Sequence, residues 1–205
     1  MPNWSFTNMT ISVNEINADK LKELYRKITE EWTTKNYVEN DFGNMWLGNI
    51  VGFSGIDNRD KGDFTIRCRG SLKDISMGIN CMSVNTETAW TPMFDMWHRL
   101  MKKYVCDDYT ITYDSTDDCS NYHITNDPEL INHYDVDCYG ESIEDKLGYN
   151  PSDISATEDT VIDMLQDVLD SNSTDIDELL KLFYKSDYTE GMSISKWEQN
   201  DFTED

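Results

Sequence analysis

The sequence predicts an α+β fold: an antiparallel sheet with helices on one face in residues 1–150, followed by an acidic helical extension in 151–205. Three observations predict it. Several short runs alternate apolar and polar residues between clusters of Gly, Asn and Asp, the pattern of half-buried strands. Longer stretches from Ala18, Met93, Thr157 and Asp175 repeat apolar residues at three- and four-residue intervals, one face of a helix. Charge is segregated. Residues 1–103 hold 13 acids and 13 bases, whereas 104–205 hold 27 acids and four bases and so carry the entire formal charge of −23.

In chain order, Trp4–Val13 alternates as a first strand, with one slip of period near Asn8. Asn17 or Asp19 then opens a helix over Ala18–Lys35, with Leu21, Leu24, Tyr25, Ile28 and Trp32 on its apolar face. Asn40–Lys61 is rich in Asn, Asp and Gly and reads as loop with at most a short strand. Phe64–Arg69 and Ile75–Asn85 alternate as strands that could pair around Gly70–Asp74. Thr91 and Pro92 are the favoured N-cap and first-turn pair for a helix over Met93–Tyr104. Tyr109–Tyr113, Tyr122–Thr125 and Leu130–Tyr139 are further strands, with Asp114–Asp118 a turn between the first two. After Pro151, Ser155 with Glu158 and Thr174 with Asp177 form capping boxes for helices Thr157–Leu169 and Asp175–Tyr184, a C-terminal helical hairpin.

Six Trp, eleven Tyr and seven Phe, with 38% apolar residues, suffice for a real core. Met1–Ser5 has neither a basic nor an apolar run, so no secretory signal is expected. No eighteen consecutive residues are apolar, so no membrane span is expected either. Five unpaired-looking cysteines suit reduced thiols, and with them a cytoplasmic setting. A surface at −23 repels anionic lipid and nucleic acid, which leaves basic proteins as natural partners.

The order of elements up to residue 140 is that of a ferredoxin-like α+β sandwich. The opening Pro2-Asn3-Trp4, the central Thr88-Ala89-Trp90-Thr91-Pro92 and the Tyr109–Tyr113 strand together resemble the ferredoxin-like domain of YubB-type proteins of bacteriophages and plasmids. The chain departs from that pattern at Ser5, where the family carries cysteine, and lacks a Gly-Thr-Lys-Trp segment ahead of the central motif. The resemblance implies a fold and a mobile-element origin; it supplies no catalytic residue and does not reach the segment after Pro151.

No nucleotide loop, dinucleotide fingerprint, nucleophile elbow or zincin motif is present, so neither an enzyme nor a cofactor is expected. Cys119, His123, His133 and Cys138 are zinc-ligand types, but their spacings fit no standard knuckle. The segments starting at Asp135 and Asp170 begin like calcium loops, yet Lys146 and Lys181 stand where a bidentate Glu is required. Nucleophile–base pairings such as Cys81 with His98 are of a kind any chain contains, and Trp90 and Trp97 read as core.

The acids are the remaining signal. Asp159, Asp163, Asp167 and Asp170 repeat once per helical turn, a carboxylate every ~6 Å, near the phosphate spacing of a nucleic-acid strand. Like charges at i, i+4 oppose the helix, and a purely structural helix would interleave lysines. Asp114, Asp117, Asp118, Asp135, Asp137, Glu144, Asp145, Asp175, Asp177 and Glu178 extend the set, with Tyr122, Tyr139 or Trp197 as aromatic anchors. The expected function is a non-enzymatic inhibitor: an acidic nucleic-acid mimic that occludes the basic channel of a host CRISPR effector or restriction complex. The alternatives are a metal-binding module on the acid or Cys/His clusters, and a passive accessory protein with a solvated acidic face.

Overall fold

The computed structural model describes residues 3–35, 37, 38, 40–57, 66, 68–117, 123–152 and 154–199. They form an α+β protein with two compact units, residues 1–127 and 128–200.

The first unit begins with β1 (Trp4–Val13), in which every second residue from Ser5 to Val13 is buried. The alternation has no slip at Asn8. Ser5 and Thr7 go inward in place of Phe6 because the hydroxyl of Ser115 bonds to both of theirs, at 2.9 Å each. Buried hydroxyls that satisfy one another carry little of the desolvation cost that would otherwise turn the strand over. Phe6 is left 43% exposed.

The first helix is α1 (Ala18–Arg26), entered through a 3-10 turn whose N-cap is Asn14, and continued as π-helix over Lys27–Lys35. Threonine explains the widening: Thr33 and Thr34 donate to the carbonyls of Ile28 and Thr29, five residues back, at 2.7 and 2.6 Å. Leu21, Leu24, Ile28 and Trp32 are buried, as the periodicity requires.

Residues 47–54, expected as loop, are instead α2 (Leu47–Ser54). Two glycines hide it from sequence patterning, yet both Ile50 and Val51 are fully buried, and tertiary burial overrides weak propensity. A Cβ at Gly48 would strike the Trp46 ring, and Gly55 ends the helix at φ 62°.

The hairpin pairs β2 (Gly70–Met77) with β3 (Cys81–Ala89). The expected turn at Gly70–Asp74 is therefore strand. A bulge between Leu72 and Asp74 breaks the alternation that would have revealed it, and the chain reverses at Gly78–Asn80, where Gly78 N–H bonds to the Cys81 carbonyl at 2.8 Å. Of the expected strand Phe64–Arg69, residues 64, 65 and 67 lie outside the described residues.

Helix α3 (Phe94–Tyr104) starts two residues beyond Pro92 with Met93 at its N-cap; Thr91 does not cap it, and its carbonyl instead accepts from the Thr88 hydroxyl at 2.9 Å. Strand β4 (Tyr109–Asp117) takes up Asp114–Asp117 of the expected turn, because Asn8 and Asn3 on β1 and at its start give Asp114 and Asp117 cross-strand partners. The short β5 (His123–Thr125) follows. The order β2-β3-β1-β4-β5 is antiparallel throughout, and α1, α2 and α3 pack their apolar residues against one face in a single core that includes Met9, Ile11, Val84, Trp97 and Tyr113.

The second unit has a sheet of its own in the order β7-β6-β8, from β6 (His133–Cys138), β7 (Ile154–Thr157) and β8 (Met192–Lys196). Strand β6 is its centre, so the division falls at 127/128, and the expected boundary at 150/151 lies inside the unit. The extension is accordingly not purely helical. Helices α4 (Glu141–Leu147), α5 (Glu158–Leu169) and α6 (Ile176–Phe183) build a second core with Tyr134, Val136, Cys138, Val161, Leu165, Leu179 and Phe183. Gly140 and Gly191 pass so closely that a Cβ on Gly140 would stand 2.9 Å from the Gly191 Cα. Capping differs from expectation by a residue or two. Thr157, not Ser155, caps α5, and Asp175, not Thr174, caps α6 by accepting from the backbone N–H groups of Asp177 and Glu178. An aspartate at the cap brings its charge to the positive end of the helix as well as its oxygens.

Candidate acidic interaction surface

The second unit is the charged one: residues 128–200 hold 18 acids and four bases, whereas residues 1–127 hold 19 and 13. Sorting its acids by what each touches separates structural carboxylates from unused ones.

Several of the fourteen predicted residues are structural. In the first unit Asp117 is 4% exposed and accepts from Asn3 Nδ2 at 2.7 Å, so it offers no surface. Asp114 is half-buried, accepts from Asn8 Nδ2 at 3.0 Å and lies 3.9 Å from His123 Nε2. Asp118 lies outside the described residues. In the second unit Asp135 accepts the indole N–H of Trp197 at 2.8 Å. Trp197 is 8% exposed, which removes it as a surface anchor, while Tyr139 is 59% exposed and Tyr122 is outside the described residues. Glu144 accepts from Asn150 Nδ2, Glu178 from the Ser173 hydroxyl at 2.6 Å, and Asp175 is the α6 cap with Asp177 in its first turn.

Asp170 ends α5 in the left-handed conformation at φ 53° and is paired. Lys146 Nζ reaches its carboxylate and the Val168 carbonyl, both at 2.8 Å, and lies 5.2 Å from the centre of the Tyr188 ring. The Asp170 carboxylate raises the pKa of Lys146, so this lysine is a fixed cation closing the C-terminus of α5. Lys196 sits 3.9 Å from Glu158 and over the Tyr134 ring. Two of the unit's four lysines are thus committed to its own framework.

Of the fourteen, those that remain are exposed: Asp137, Asp145, Asp159, Asp163 and Asp167. The last three lie along α5 at i, i+4, i+8, opposite the buried Val161, Met164, Leu165 and Val168. Asp159 is in the first turn, where a carboxylate suits the helix dipole. Asp163 does not have that advantage, and Asp167, in the last turn, faces the wrong end of the dipole. None of the three has an ion pair or side-chain hydrogen bond among the described residues. Each adjacent pair costs a few tenths of a kcal/mol with no local compensation.

The other candidate sets do not assemble. Cys119 is outside the described residues, and among the described residues no three His, Cys, Asp or Glu side chains group as a metal set. His98 shares a 2.6 Å hydrogen bond with the Tyr109 hydroxyl. Trp97 is fully buried in the core as expected, whereas Trp90 is 56% exposed, at φ 76°. No described helix is long and apolar enough to cross a membrane. No protein family, curated protein or solved structure matches the chain.

Proposed function

We propose that the protein is a non-enzymatic inhibitor of phage or other mobile-element origin, in which the second unit imitates nucleic acid and occupies the basic channel of a host nucleic-acid-binding protein such as a CRISPR effector or restriction complex. The observation that carries this is the row Asp159, Asp163, Asp167: exposed, unpaired among the described residues and set one turn apart on a helix whose other end carboxylate is neutralised. A helix selected only to fold would lose nothing by placing a lysine at either of the last two positions. A helix that meets lysines and arginines spaced for phosphates needs both. The surrounding charge steers a basic partner from a distance, and the row supplies short-range pairing. The first unit acts as a ferredoxin-like scaffold in this proposal, supported by the strand order β2-β3-β1-β4, all antiparallel, with helices on one face.

The test is a pull-down from bacterial lysate with the whole chain, followed by competition with DNA and RNA. Binding to a nucleic-acid-binding protein should fall steeply with salt, be displaced by its nucleic acid, and drop at least tenfold when Asp159, Asp163 and Asp167 are changed together to Asn. Binding that is indifferent to salt, or that survives the triple change, overturns the proposal.

A further inference from the structure

The face of the first sheet opposite its helices carries a second feature. Strand register sets two rows of side chains across β3, β1 and β4: Asn85, Asn8 and Asp114 in one, Ser83, Thr10 and Thr112 in the next. These six line a concavity of about 270 Å³, with Asp127 also at its wall. With strands ~4.8 Å apart and like-facing residues ~6.8 Å apart, the grid measures about 10 by 7 Å. That is the footprint of one sugar ring with its hydroxyls.

Functional-group chemistry narrows the ligand. No Lys or Arg lines the concavity and two carboxylates do, which disfavours an anion. The amides and hydroxyls donate as readily as they accept, which a simple cation would leave half unused. An apolar ligand would strand all of them unpaired. Part of the site is already oriented: Asn8 Nδ2 is held on Asp114 Oδ2 at 3.0 Å, and His123 Nε2 stands 3.9 Å from the same oxygen. The Asn85 and Ser83 side chains have no partner among the described residues. In the adjoining row, between Glu87 and Thr116, is Phe6, 43% exposed, an aromatic surface for the C–H side of a ring.

We infer that this concavity is a binding site for a neutral polyhydroxylated ligand, a saccharide unit, with Asp114 and Asn8 accepting from neighbouring hydroxyls, Asn85 and Ser83 completing the set, and Phe6 supporting the ring. The site belongs to the first unit and stands or falls independently of the acidic row on α5.

The test uses the whole ¹⁵N-labelled protein in solution NMR, titrated separately with the methyl glycosides of glucose, galactose and mannose. At least one should shift the side-chain amide signals of Asn8 and Asn85 together with backbone amides of β1, β3 and β4. Asn85→Ala and Asp114→Asn should each weaken that binding about tenfold, as loss of one or two hydrogen bonds would. Asp163→Asn should leave it unchanged. Asn85 is exposed, so its variant keeps the fold, which unshifted amides elsewhere verify. Absence of shifts with all three glycosides, shifts that persist in Asn85→Ala, or a response of the same signals to spermidine or inorganic phosphate instead, would each overturn the inference.

Discussion

The two units are built alike, a small antiparallel sheet with helices against it, but they use carboxylates differently. In the first unit several acids are matched by a base or an asparagine. Arg26 holds Glu23, Glu30 and Glu31, Lys73 pairs with Glu87, Arg99 with Asp95, and Asp114 and Asp117 take asparagine partners. The Arg26 hydrogen bonds, aided by the charges of Arg26 and Lys27, pull the Glu23 pKa down to about 2. In the second unit the matched acids are the α6 cap, the Lys146 and Lys196 partners, and Asp135, Glu144 and Glu178, which accept from Trp197, Asn150 and Ser173, and the surplus is spread on exposed helix and strand positions. Net charge therefore measures little about either fold. The informative quantity is which carboxylates have no structural work to do, and on α5 three of them, Asp159, Asp163 and Asp167, stand in one row.

The contrast presupposes that each unit has its own core, which is the first thing to break. Trp97→Ala removes the largest fully buried side chain of the first core, and Phe183→Ala a fully buried ring of the second. Each should destabilise its own unit by about 3–5 kcal/mol. Hydrogen exchange read by mass spectrometry should show β1 and α3 amides loosening in the first variant and β6 and α5 amides in the second. Equal loosening of both sets in either variant would mean one cooperative core and no real division at residue 127.

A smaller effect separates the units by pH. Burial, and then the neighbouring Glu158, push the Tyr134 hydroxyl up to about 12. Its unfolded value is near 10. The native form thus retains a proton that the unfolded chain releases, so its contribution is complete below pH ~10 and is lost as pH rises from ~10 towards 12. Urea midpoints of the second unit should fall across that window, and Tyr134→Phe should flatten the fall. An unchanged slope in the variant would assign the loss to other groups.

How much of this was legible in the sequence depends on whether a feature is local. The alternation of Tyr134, Val136 and Cys138 names the inward side of β6 directly, and all three are buried. The stripe Val161, Met164, Leu165, Val168 does the same for α5. What alternation cannot say is which strand comes to lie beside β6; its partners β7 and β8 are short, and β8 lies more than fifty residues away, so the sequence pattern alone places the segment in the first sheet. The inward turn of Ser5 and Thr7 was hidden for the same reason, since it depends on the distant Ser115. The acid row was legible because helical spacing is local. That Asp170 belongs to Lys146 and Asp135 to Trp197 was not, because both partners are brought by tertiary structure.

The finest test of the contrast acts on a single charge. Asp167→Lys would remove the i, i+4 repulsion from Asp163, replace it with the favourable acid-before-base order, and put a cation in the last turn of α5, as the first unit does with Lys102 and Lys103 on α3. If Asp167 has no structural role, the variant should be more stable by about 0.5–1 kcal/mol in low salt, with the gain shrinking as screening grows. Urea denaturation at two ionic strengths measures both numbers, and the same protein should bind its basic partner less well. A variant that gained stability and kept its partner would show that the charge serves solvation only. A variant that lost stability would show that Asp167 holds a contact the framework needs, and the distinction between matched and surplus acids would fail at the residue where it is drawn most sharply.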